Sequence, residues 1–298
     1  MSLNGTNVNN VEKIFIGTAN FNQAYGIRGR TSTFNEMDLN KILDEVILNE
    51  SIYIDTAQSY GGVEELIGKF APKKLSGKVL TKITLNKEDT FKSTTKLVEE
   101  SLKRLTQDNL YGILIHNSEI LEEPNAEEII SSLYAFVTSG VITKIGLSCY
   151  ESGQIINAEK RYSQLKIFQI NENVIDQRNL NNLSLEKLNS DGKELIVRSI
   201  FLQGNLLVGV DEISDFLKPA RDVFADFSNL CKENDLTPLK VCLDYIRSIL
   251  WARGVVVGVN SFTEYLEIKE ILLNRIDISK FPNKTLDPFY ADPRNWVD

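Results

Sequence analysis

The chain has 298 residues, 42% hydrophobic and 25% charged, the composition of an ordinary globular protein. Its formal net charge is −8 and no basic stretch offsets it, which argues against nucleic acid or an anionic membrane surface as a partner. The first residues are polar, no apolar run approaches ~18 residues, and three scattered cysteines suit neither a disulfide framework nor a zinc site. A protein of the reducing cytoplasm, with no membrane span, is the expectation.

Taken in order, 14–17 is a short apolar strand, followed by a loop over 18–32 that carries Asn20, Phe21 and Tyr25. Thr33 with Glu36 has the spacing of a capping box, opening a helix with apolar positions at Leu39, Ile42, Leu43, Val46 and Ile47. Ile52-Tyr53-Ile54-Asp55 then reads as a strand ending on an acid, which is costly to desolvate unless something there requires it. The turn beyond it carries Tyr60 and two glycines. A short helix over 64–70 leads to a strand over 78–82 that ends on Lys82. Phe91, Val98, Leu102 and Leu105 sit at helical spacing before a strand over 110–116, which ends on His116, the sole histidine.

Helices over 125–139 and 152–161 flank a strand over 144–148. Strands over 167–170, 194–199 and 255–259 alternate with helices over 180–188, 221–234 and 239–252. Ser261 with Glu264 caps a last helix to Leu273, and the tail from Asn274, with an exposed-looking Trp296, has no periodicity. Eight strands strictly alternating with helices predict parallel pairing through right-handed crossovers. An α/β fold of the (β/α)8 TIM-barrel type suits that count, with its active site at the C-terminal strand ends. An open doubly wound sheet is the rival, but no G-x-G-x-x-G turn follows the first strand. One domain over 1–298 is expected, with the barrel over 13–273 and an irregular tail over 274–298.

Asp55, Lys82 and His116 would then share one rim with Tyr60. A lysine beside a phenol favours phenolate and so lowers the tyrosine pKa, an acid would orient the lysine, and a neutral imidazole can bond a carbonyl oxygen. The set suits proton transfer at an oxygen, with Tyr60 as general acid or base. Neither a G-x-S-x-G nucleophile nor a metal site is present, so a cofactor must supply the other half of the reaction. Each residue alone is more often structural: a strand-end Asp caps a turn, a Lys marks solvent, a lone His sits satisfied in a core. Their joint placement favours chemistry.

Asp55-Thr56-Ala57-Gln58-Ser59-Tyr60-Gly61-Gly62-Val63-Glu64-Glu65-Leu66-Ile67-Gly68 resembles the D-T-A-x-x-Y-G-x-x-E-x-x-[IL]-G motif of the aldo-keto reductases, and the resemblance runs over about 13–273. It implies a (β/α)8 barrel that passes hydride between NADP(H), or alternatively NAD(H), and a carbonyl compound or sugar derivative. The family's catalytic residues fall on Asp55, Tyr60, Lys82 and His116. Cofactor contacts are implied at Gly17, Thr18, Asp55, Ser148, Cys149, Gln169, Arg198, Ser199, Gly258, Asn260, Ser261 and Tyr265. Cys149 replaces the family's amide-bearing Asn, and Arg198 stands where a tyrosine commonly stacks on the nicotinamide. Gly258 and Tyr265 occupy places where some members carry basic residues for the 2′-phosphate, so discrimination should be weak, with NADPH favoured. The segments Thr18-Ala19-Asn20-Phe21, Tyr25-Gly26-Ile27, Arg198-Ser199-Ile200-Phe201-Leu202-Gln203-Gly204 and Asp292-Pro293-Arg294-Asn295-Trp296 resemble a bacterial branch often associated with surface-polysaccharide sugars. The substrate would lodge among the loops at 18–32, 117–124 and 200–220 and the tail. Two rivals stand beside this reading: a cofactor-binding sensor or partner subunit with little turnover, and a cofactor-free lyase or isomerase using Lys82 as a Schiff base.

Overall fold

Eight strands close into a parallel barrel in chain order, each beside the next and the last beside the first. The computed structural model describes residues 11–22, 26–27, 34–274 and 281–296. The strands are β1 (Lys13–Gly17), β2 (Ile52–Asp55), β3 (Val79–Ile83), β4 (Leu110–Ile115), β5 (Ile142–Cys149), β6 (Leu165–Asn171), β7 (Glu194–Arg198) and β8 (Gly254–Gly258). Around them run α1 (Glu36–Leu48), α2 (Val63–Phe70), α3 (Phe91–Leu105), α4 (Ala126–Thr138), α5 (Ser152–Arg161), α6 (Leu183–Ser190), α7 (Arg221–Glu233), α8 (Pro238–Ser248) and α9 (Phe262–Leu273). The expected (β/α)8 barrel is the observed architecture. No helix among the described residues is long and apolar enough to cross a membrane.

These segments become strands because most of their residues are apolar and can be buried on both faces. Phe15, Leu80, Leu114, Ile167 and Ile196 form one cluster within the barrel, while Ile16, Ile54, Val79, Ile113 and Ile145 belong to the larger cluster beneath the helices. Helix starts are set by side chains that satisfy unpaired N–H groups: Thr90, Thr237 and Ser261 accept from Ser93, Lys240 and Glu264.

Several boundaries depart from the sequence expectation. Thr33 lies outside the described residues, and α1 opens from Asn35, whose side chain accepts from the Asp38 N–H. Ile47, one position past the buried Val46, turns out of the apolar stripe and is 37% exposed. The helix expected over 180–188 starts at Leu183, since Asn182 caps it through the Ser184 and Leu185 N–H groups. The one expected over 239–252 stops at Ser248, and the Trp251 indole beyond it donates to Asn179 O. Trp296 is half-buried rather than exposed, packing on the core near Phe216 and donating to Tyr290 O.

The N-terminal mouth of the barrel is filled by a polar plug. Lys13 Nζ donates to Tyr111 Oη at 2.9 Å and to Glu194 at 3.0 Å, and Lys144 pairs with Glu194 from the other side. Burial opposes ionisation of Glu194, but the two ammonium groups hold its carboxyl below the ordinary range. The open cleft lies at the opposite, C-terminal rim.

Candidate active site

Strand register determines which side chains meet at that rim. Gly17 pairs with both Asp55 and Gly258, and Ser148 pairs with Gln169. Asp55 pairs with Leu80 and Lys82 with Leu114, so the last inward residue climbs by two positions per strand from β2 to β4. That stagger is what a tilted, closed barrel requires. It brings Asp55, Lys82 and His116 to one wall.

Lys82 Nζ donates to Asp55 Oδ2 at 2.7 Å and to Thr56 O at 3.0 Å, with the two side chains only 2% and 4% exposed. Gln169 Nε2 donates to the other carboxylate oxygen at 2.5 Å. Both Asp55 oxygens are therefore satisfied, which is what makes a buried carboxylate tolerable. The Tyr60 ring covers this pair: its centroid is 5.2 Å from Lys82 Nζ and 6.3 Å from the His116 ring, which meets it edge-on.

The loop that presents Tyr60 is held by its own motif. Gln58 N–H donates to Lys82 O and Tyr60 N–H to Ala57 O. Gly61 and Gly62 take left-handed φ values of 55° and 80°, which lets α2 begin at once. Buried Glu64 accepts from Thr81 Oγ1 at 2.6 Å and Arg104 Nε at 2.8 Å, tying α2 to β3 and α3. At Gly68 a Cβ would lie 2.1 Å from Arg104 O, so only glycine lets α2 pass that close. Glu64 and Gly68 thus position the Tyr60 loop from outside the cleft.

Burial, with Lys82 and Arg198 adding to it, lowers the His116 pKa to about 3. His116 is therefore neutral at physiological pH. Its titration should leave no inflection in kcat/KM between about pH 5 and 8. An inflection there that His116→Gln removed would contradict this. The unfolded chain would protonate His116 near 6.5 and the folded chain only near 3, so stability from this group is present above 6.5 and lost as pH falls towards 3. Tyr60 departs from the sequence expectation. Burial first, then the Asp55 charge, raise its pKa above the ordinary tyrosine value, and Arg198 offsets only part of this. The lowering expected from Lys82 is outweighed, because Asp55 engages that cation and water is displaced from the phenol.

Gly17, Thr18, Ser148, Gln169, Arg198, Ser199, Gly258 and Asn260 line the same cleft as Asp55, Tyr60, Lys82 and His116. Cys149, Ser261 and Tyr265 are not on its wall. Side chains alternate along β5, so with Ser148 facing in, Cys149 faces the helices beside Ser118; burial pushes its thiol up to about 12. Ser261 is turned to cap α9. Tyr265 is 1% exposed and donates to Glu45 on α1 at 2.9 Å, on the outer side of the barrel. Arg198 donates to Cys149 O at 3.1 Å and stacks on Tyr150 at 4.5 Å, with Arg294 from the tail on that ring at 3.9 Å.

The structure picks out single residues within the loops at 18–32 and 200–220, which the sequence reading gave to the substrate only as segments, and adds Glu264. Asn20 donates to Val259 O at 2.6 Å and to Asn260 Oδ1 at 3.0 Å, clasping the β1 loop to the β8 loop. Gly26, at φ 67°, lies so close to the β7 loop that a Cβ would sit 2.6 Å from Gln203 O. Gln203 itself takes φ 52° and Ser199 φ 62°, non-glycine residues held in left-handed backbone on the cleft wall. Glu264 also lines the cleft, beside Asn260. Only the Gln203-Gly204 turn had a local signature; the rest are contacts between distant loops.

A nicotinamide cofactor can be tested against this wall. Gln169 Oε1 is buried with no partner of its own, while its amide nitrogen is committed to Asp55. An unused acceptor next to the Ser148 hydroxyl fits the amide N–H of a carboxamide. The residues present fit the group.

A closed (β/α)8 barrel with an open cleft at its C-terminal rim defines the class of protein, since enzymes of this fold work at that face. The model of the aldo/keto reductase family matches residues 13–284, and the chain belongs to that family of NAD(P)H-dependent oxidoreductases of carbonyl compounds. No curated protein matches the sequence. Among solved structures it is similar to the thermostable aldo-keto reductase Tm1743 in complex with the inhibitor epalrestat, at 23% identity over 90% of this chain and 91% of that one, with a TM-score of 0.61. It is also similar to the aldo-keto reductase AKR11C1 from Bacillus halodurans in its holo form, at 20% identity over 89% and 88% of the two chains, with a TM-score of 0.63. At these identities the likeness speaks for the fold alone.

Proposed function

We propose that this chain reduces a carbonyl group with Tyr60 as proton donor, Lys82 and Asp55 setting its surroundings, and His116 orienting the carbonyl oxygen. The observation that carries the reading is the convergence of those four side chains on one cleft wall, with Lys82 and Asp55 paired at 2.7 Å beneath the tyrosine. The nicotinamide, when bound, supplies the hydride. Tyr60 keeps its proton through neutral pH because burial and Asp55 hold its pKa high, which is the state a general acid needs. Neutral His116 has a ring nitrogen available to the same oxygen. Asp55 favours the ammonium form of Lys82, which has no lone pair for a Schiff base and so counts against the lyase reading.

Gly17, Thr18, Ser148, Gln169, Arg198, Ser199, Gly258 and Asn260 would hold the cofactor, all on the cleft wall. The substrate would be a small carbonyl compound or a sugar derivative. The branch resemblance supports a sugar, as does a cleft lined by polar Asn20 and Gln203 together with apolar Phe201 and Leu207.

Fluorescence titration with NADH and NADPH, followed by turnover assays on a panel of aldehydes, ketones and sugar derivatives, tests the proposal. Binding with turnover of at least one carbonyl is expected. Failure to bind either nucleotide would overturn it, and tight binding with no turnover across the panel would leave the sensor reading in front.

Arg198 should lie against the nicotinamide ring, because a planar guanidinium can stack on it from the cleft wall. Arg198→Leu is expected to raise the cofactor Kd by more than it lowers the single-turnover rate. An unchanged Kd would mean that Arg198 serves only Tyr150 and the Cys149 carbonyl.

A further inference from the structure

We infer that Arg294, in the C-terminal tail, is a positioning residue that holds Arg198 on the cleft wall through the ring of Tyr150. The inference deepens the function proposed above and rests on the place given there to Arg198. Arg198 lines the cleft, whereas Arg294 lies outside that lining.

Few bonds of its own fix the Arg198 guanidinium. Nη2 donates to Cys149 O at 3.1 Å, Nη1 reaches Ser199 Oγ only at 3.5 Å, and Nε is buried with no hydrogen-bond partner. Holding so long a side chain in one rotamer is costly in entropy and needs further restraint. The Tyr150 ring supplies it, with its centroid 4.5 Å from Arg198 Cζ. Tyr150 is itself fixed at the main chain, where its N–H donates to Gln154 Oε1 at 3.0 Å. Arg294 Cζ lies 3.9 Å from the same centroid, so two guanidiniums share one ring.

Two cations that close repel unless an anion accompanies them. Asp292 is that anion. It accepts from Arg294 Nε at 3.0 Å and from Nη2 at 2.6 Å. Burial opposes its ionisation, but Arg294 and then Arg198 hold its carboxyl below the ordinary range. The arm that carries the pair is anchored at several points. Leu286 N–H donates to Ile175 O at 2.6 Å, Gln177 Nε2 donates to Pro282 O at 3.1 Å, and Phe216 packs on Phe289, Tyr290 and Trp296. The tail is therefore built onto the loops after β6 and β7, and it presents Arg294 to a ring just after β5.

The test is a double-variant cycle on the full chain, reading the Kd of NADH and of NADPH by calorimetry. The Arg294 side chain is 53% exposed, so Arg294→Ala leaves the core intact. It should weaken cofactor binding about fivefold, roughly the worth of one cation–π contact. In an Arg198→Leu background the same substitution should change Kd less than about twofold, because the group it positions is gone. Arg294→Lys keeps a cation for the ring and for Asp292, and should recover part of the loss. Linkage gives a second readout: bound cofactor should slow hydrogen exchange in tail peptides over 281–296 in wild type and not in Arg198→Leu. Weakening by the same factor in both backgrounds would make Arg294 a merely structural residue, and an unchanged Kd in Arg294→Ala would leave it positioning nothing. Either would overturn the inference alone. An Arg198→Leu Kd equal to that of wild type, or binding of neither nucleotide, would overturn it together with the reading on which it rests.

Discussion

Tyr60→Phe should lower carbonyl turnover by about 10²–10⁴-fold while leaving cofactor affinity close to that of wild type. Phenylalanine keeps the ring that covers Lys82 and meets His116 edge-on, so the packing of the cleft wall survives. It removes the proton, and the other groups of the catalytic set are engaged or neutral: Lys82 Nζ donates to Asp55 and to Thr56 O, Asp55 is tied to Lys82 and Gln169, and His116 is neutral. The raised pKa of Tyr60 adds a second expected result. In wild type, kcat/KM for reduction should show no descending limb from this tyrosine until above about pH 10, the ordinary value. Turnover of an accepted substrate by Tyr60→Phe at near the wild-type rate would remove Tyr60 from the chemistry and point to water as the proton source.

Lys82→Met should damage both stability and activity. The ammonium and the Asp55 carboxylate are each almost wholly buried, so removing one leaves a charge with neither water nor its partner. Losses of about 3–5 kcal/mol are typical when one half of a buried pair is deleted. Gln169 remains on Asp55, which places the expectation at the lower end of that range. Turnover should fall at least as far as in Tyr60→Phe, because the proton donor loses the cation beneath its ring. Combining Lys82→Met with Asp55→Asn separates the effects. The double variant should recover much of the thermal stability, since no buried charge is left, and stay inactive. A Lys82→Met protein that melts with wild type would show that Asp55 is not held as an anion by this lysine, and the ion-pair account of the site would fall.

The stretch from Asp55 to Gly68 shows how local and distant causes divide. Its apolar strand, glycine turn and helix were legible because each depends on residues adjacent in the chain. That Glu64 and Gly68 brace the loop against β3 and α3 was not, since Thr81 and Arg104 meet them only in the folded barrel. Likewise, β5 announced itself by its apolar run, yet the resemblance assigned both Ser148 and Cys149 to the cofactor. Strand alternation allows only one of two neighbours to face the cleft, and the barrel chose Ser148.

By itself the sequence determined the order of strands and helices, and hence the barrel, together with the strand ends on which Asp55, Lys82 and His116 stand. Hydrophobic periodicity and capping are short-range, and a staggered parallel barrel then has only one rim for those ends. The tertiary structure alone decided the direction of the Tyr60 pKa, the removal of Tyr265 to Glu45, the Arg198–Tyr150–Arg294 stack and the place of Glu264 in the cleft. Each of these depends on how much water is displaced and which charges come within a few ångströms. Those are relations between residues far apart in the chain, and no local pattern encodes them.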